Sequence, residues 1–113
     1  MSKTFYLPAN DLFGVWANSG DNAATPEFKE GVSVFKFTQT DDLIAEFSVG
    51  EDVSAQRAAL NGLRRGWMSS SCDSAEFAPA NAVGVGTVKP GVAKLLMGGE
   101  WKVNEKAVIE FKT

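Results

Sequence analysis

Histidine is missing from this chain of 113 residues, and with it go the commonest general acid/base, the commonest metal ligand and the usual charge switch near neutral pH. Cysteine occurs once, at Cys72, so no intramolecular disulfide can form. A chain held together by packing alone fits a reducing compartment, and a cytoplasmic location is expected. Long hydrophobic runs are absent too: nothing approaches a membrane span, and Met1–Pro8 lacks the continuous apolar core of a signal peptide. Positive excess is the last absence. Fourteen acidic residues against eleven basic ones, a net charge of -3, leave little to attract phosphate backbones or anionic lipid. These absences lead us to expect no metal or cofactor, no nucleic acid and no membrane among the partners.

What is present is enough to fold. An apolar fraction of 44% with 22% charged residues is far from the depleted hydrophobicity of disordered chains, and the length suits one domain spanning residues 1–113. Phe5–Leu7 and Leu12–Ala17 read as short strands around a Pro8-Ala9-Asn10-Asp11 turn, and residues 18–26 as an exposed loop. Val32–Phe37 and Leu43–Val49 read as a hairpin. Its second arm puts Leu43, Ala45, Phe47 and Val49 on one face and Ile44, Glu46 and Ser48 on the other.

From Asp52 to Arg65 the period changes to that of a helix, with Val53, Leu60, Leu63 and Trp67 forming an apolar stripe beside Ala59. Asp52 or Ser54 suits the N-cap, Arg64 and Arg65 the negative end of the dipole, and Gly66 the left-handed cap. A polar stretch around Asp73, Ser74 and Pro79 reads as loop. Strands follow near 82–88, 92–97, 100–103 and 107–112, separated by Lys89-Pro90-Gly91, Gly98-Gly99 and Asn104-Glu105 as a meander. The expected fold is α+β: about seven or eight short strands in a strongly bent antiparallel sheet or partial β-barrel, packed on one central amphipathic helix.

The motifs that would carry chemistry are weak. Gly84-Val85-Gly86 lacks the third glycine of a dinucleotide loop and the Gly-Lys-Ser/Thr of a P-loop, so its glycines read as relief in a bent strand. Asp41-Asp42 and Glu51-Asp52 are adjacent carboxylates that do not converge as an acid/base pair must. Cys72 has no histidine to activate it. No catalytic residue is assigned, and an enzyme working through carboxylate and arginine ranks last.

Two constellations remain. Arg57, Asn61, Arg64 and Arg65 share a polar flank of the helix suited to gripping an anionic group, and are assigned as an interaction surface. Trp16, Phe47, Gln56, Trp67 and Trp101 are assigned as the lining of an apolar pocket between sheet and helix. Gly14-Val15-Trp16 resembles the Gly-x-Trp that opens the first strand of lipocalin-type ligand carriers. The match covers three residues, the chain is shorter than that family and a helix interrupts it midway; the resemblance implies a ligand-binding barrel as an option, not membership. The leading expectation is a non-enzymatic interaction module, a homo-oligomer or the partner of another protein. The alternative is a domain that binds a small apolar ligand.

Overall fold

The computed structural model describes residues 3–74 and 79–113. Its strands are β1 (Lys3–Leu7), β2 (Val15–Trp16), β3 (Phe35–Asp41), β4 (Ile44–Val49), β5 (Cys72–Ser74), β6 (Gly84–Lys89), β7 (Gly91–Leu95), β8 (Trp101–Glu105) and β9 (Ala107–Lys112), with one α-helix, α1 (Val53–Arg65). Six strands form a curled antiparallel sheet in the order β1-β3-β4-β7-β8-β2, and three form a small sheet in the order β5-β9-β6. The class is α+β, a half-barrel with a helix and a second sheet.

Period-2 patterning builds the concave face of the half-barrel. Phe5, Leu7, Phe35, Phe37, Ala45, Phe47 and Val49 alternate inward and are buried, while Lys36 and Glu46 between them are exposed. Bulges at Gln39/Asp41 and Val92/Ala93 interrupt the ladders, and such irregularities increase the twist that rolls a sheet into a trough. Trp16 fills the trough, its ring 5.2, 4.9 and 5.0 Å from those of Phe35, Phe37 and Phe47. One hydrophobic cluster runs from these rings through Ala59 and Leu60 of α1 to Val85 and Ile109 of the small sheet.

Several boundaries differ from the sequence reading, each for a local reason. Leu12–Gly14 is a turn rather than strand. The hairpin's first arm begins at Phe35 and runs on to Asp41, so the turn shrinks to Asp42-Leu43 and leaves Leu43 52% exposed. Asp73 and Ser74, read as loop, belong with Cys72 to a strand that pairs in parallel with β9; residues 75–78 of that expected loop lie outside the described residues. The tail is no meander. β6 and β9 pair with each other in the small sheet while β7 and β8 lie in the large one, because Pro90 and Lys106 each supply a single linking residue at which the chain changes sheet.

The helix has the expected ends. Asp52 accepts a hydrogen bond from the Ser54 amide at 2.8 Å, and Gly66 closes the helix at φ 92°. Of the expected stripe, Leu60 and the neighbouring Ala59 are buried and Leu63 and Trp67 pack against the core, whereas Val53 is 61% exposed and Ala55 and Gly62 join the buried side. Packing is close there: a side chain at Gly84 of β6 would meet Gln56 Oε1 at 2.8 Å, and one at Gly62 would overlap the Trp67 ring.

Candidate functional site

The residues after β1 form a turn locked from below. Asp11 Oδ1 accepts from the amides of Phe13 at 2.8 Å and Val15 at 3.0 Å, the side-chain turn that aspartate favours. Asn10, only 4% exposed, donates from Nδ2 to the Asp11 carbonyl at 2.7 Å, the Trp67 carbonyl at 3.1 Å and Ser70 Oγ at 2.8 Å. Gly14 takes φ 76°, and a side chain there would press on the Ser70 carbonyl at 3.0 Å. On this fixed backbone Leu12 and Phe13 stand 67% and 82% exposed. The sequence reading missed both residues. The signal was the Asn10-Asp11 pair with Gly14 three positions on, which marks a tight turn more strongly than Leu-Phe marks a strand.

The turn packs on the 3-10 helix Trp67–Ser70, which follows directly from the last turn of α1. The assigned interaction residues Arg57, Asn61, Arg64 and Arg65 are all exposed along α1. All three arginines of the chain are in α1, which contains no acidic residue, leaving eight lysines against fourteen carboxylates everywhere else. None of the three is ion-paired among the described residues; the pair within range there is Lys106–Asp73 at 3.7 Å, an exposed contact of little energetic weight. Aromatic and arginine side chains are among the residue types enriched at protein contact surfaces.

The five residues assigned to a pocket are not brought together around a space. Trp16, Phe47 and Trp101 are at most 3% exposed and pack into the aromatic core. Trp67 folds back over Gly62 with its ring 6.4 Å from Phe35. Gln56 lies apart, over Gly84, and donates from Nε2 to the Glu51 carbonyl at 3.1 Å. Only Trp101 borders an apolar hollow, of about 440 Å³, with Phe5, Leu95, Ala24 and Pro26 around it. Asn18 braces its rim in the left-handed region at φ 52°, accepting from the Ala24 amide at 2.8 Å and donating to the Gly99 carbonyl at 3.0 Å. Gln56 instead borders a more polar groove of about 520 Å³ with Lys36, Glu51, Glu110 and Lys112.

Other candidates for chemistry are quiet. Burial pushes the Cys72 thiol up to about 12, against a smaller opposing effect of its contact with Ser71 Oγ at 3.6 Å; a thiol so protonated is a poor nucleophile. Among the described residues no three of His, Cys, Asp and Glu converge as a metal site. Gly84 and Gly86 lie within β6 rather than at a helix start. No helix among the described residues is long and apolar enough to cross a membrane. No family model, curated protein or solved structure matches this chain.

Proposed function

We propose that the protein is a non-catalytic interaction module whose contact surface joins the Leu12-Phe13 turn to the arginine flank of α1. One observation carries the reading: a turn braced by a nearly buried asparagine holds two large apolar side chains in water. Exposing them forgoes hydrophobic stabilisation, and fixing their backbone removes the ordering cost that binding would otherwise meet. Aromatic and arginine side chains in this setting are the residue types that dominate contact energies. Self-association is the form of interaction we favour.

The test uses a photo-crosslinking phenylalanine analogue at position 13 and sedimentation velocity over a concentration series. A crosslinked protein adduct, and a mass that grows with concentration and falls on Leu12→Ser/Phe13→Ser, is the expected result. A protein that stays monomeric and yields no adduct overturns the reading. A second reading, a small apolar ligand in the Phe5/Trp101 hollow, is favoured by the aromatic lining and the braced rim. It predicts that apolar dyes shift tryptophan emission in the native protein and not in Trp101→Phe.

A further inference from the structure

We infer that the partner is a second copy of this chain, docked head to tail, with the arginine flank of α1 on one copy receiving the Asp41-Asp42 hairpin tip of the next. This rests on the interaction reading above and specifies its partner. Charge complementarity carries it. The helix holds Arg57, Arg64 and Arg65 with no acidic residue, whereas the stretch between Lys36 and Arg57 holds five acidic residues and no basic one. Of those five, Asp52 is engaged as the helix cap, Glu51 lines a groove beside Lys36 and Lys112, and Glu46 lies within β4.

Asp41 and Asp42 are different. Both are exposed at a tight turn; Asp41 Oδ1 accepts from the Leu43 amide at 3.2 Å, and neither is ion-paired among the described residues. The basic positions nearest by register are Lys3, across from Gln39, and Lys94, across from Ile44, and neither reaches the tip as an ion pair. Leu43, half exposed beside the carboxylates, supplies an apolar contact for the Leu12-Phe13 turn, which packs on the 3-10 helix that follows α1. Guanidinium groups pair with carboxylates in a bidentate geometry that an ammonium lacks, so the restriction of arginine to this one helix matches the proposed occupant.

Symmetry and reach make the contact head to tail. A two-fold axis through the arginine flank would bring arginine against arginine, which like-charge repulsion opposes, and a two-fold pair with reciprocal flank-to-tip contacts would need flank and tip on one face. Within one molecule the tip lies at the far end of β4 from the helix, about 20 Å for six residues, so the two surfaces engage between copies. Such a contact propagates into a ring or a filament unless one end is blocked.

The experiment follows mass by sedimentation velocity for the wild type, a helix variant (Arg57→Gln, Arg64→Gln, Arg65→Gln) and a tip variant (Asp41→Asn, Asp42→Asn). All five positions are exposed, and unchanged circular dichroism verifies the fold of each. Wild type is expected to grow beyond a dimer, with association weakening as salt rises. Each variant alone should associate at least about tenfold more weakly. Their equimolar mixture should form a 1:1 dimer and nothing larger, because one intact tip then meets one intact helix. Unchanged association in either variant, or a mixture that stays monomeric, overturns the head-to-tail contact and leaves the interaction reading standing. A monomeric wild type that crosslinks through position 13 to a different protein does the same. A monomeric wild type with no adduct overturns both.

Discussion

Asn10 shows how one side chain can position a surface without belonging to it. Its amide nitrogen meets three acceptors, so Asn10→Asp, equal in shape, would set a carboxylate against two carbonyls and a hydroxyl. Asn10→Ala should cost about 1–3 kcal/mol and Asn10→Asp more, read as a fall in the urea midpoint. Leu12→Ser/Phe13→Ser should leave that midpoint nearly unchanged, since both side chains are already in water. Cys72 offers a test with a pH sign. Its thiol stays protonated in the fold up to about 12, against an ordinary value of 9.0. The folded state therefore binds more protons than the unfolded chain between those values, and its stability falls as pH rises through that window. Cys72→Ala should flatten this fall, and a thiol reagent at pH 8 should label the wild type only after denaturation. Rapid labelling of the native protein would contradict the burial.

At the scale of elements, glycine decides where strands and helix meet. Gly91 opens β7 opposite Phe47, and a side chain there would overlap the Phe47 ring and meet the Ala107 amide nitrogen at 2.7 Å. Because that point is where the two sheets approach each other, Gly91→Ala should destabilise by about 1–3 kcal/mol through overpacking. The helix depends less on any single residue. Removing its cap with Asp52→Ala should cost about 1 kcal/mol, measured in the same way. α1 presents Val53 and three arginines to water while Ala55, Ala59, Leu60 and Gly62 face the core with Leu63 packed beside them. The helix thus has one face for packing and another free for contact.

Across the whole molecule, a single cluster of rings and aliphatic side chains joins the half-barrel, the helix and the small sheet. Neither sheet has a core to itself, so unfolding in urea should be one transition, coincident by near- and far-ultraviolet circular dichroism. Two separated transitions would show that the small sheet is a unit of its own. The charge distribution has the same global character. The helix that holds all three arginines and the Asp41-Asp42 turn sit at opposite ends of β4.

Local chemistry made part of this legible in the residues alone. The alternation from Ala45 to Val49, the capped helix ending at Gly66 and the inward faces of β8 and β9 each follow from a periodicity or cap that needs no distant partner, and the bent antiparallel α+β class follows from their order. Arg57, Asn61, Arg64 and Arg65 were likewise placed on an exposed flank by helical spacing. Other features depended on partners far away in sequence. Leu12-Phe13 leaves the strand because Asn10 finds Trp67 and Ser70. Val53 faces water while Ala55 and Gly62 join Leu60 on the buried side, with Gln56 lying over Gly84 of β6. Cys72–Ser74 becomes a strand because β9 passes beside it. Trp16, Phe47 and Trp101 fill the core instead of lining a pocket because Phe35 and Phe37 arrive from another strand to occupy the space. Sequence pattern says which faces are apolar, but which apolar faces meet is decided by close approach and by hydrogen-bond partners that only the folded chain assembles.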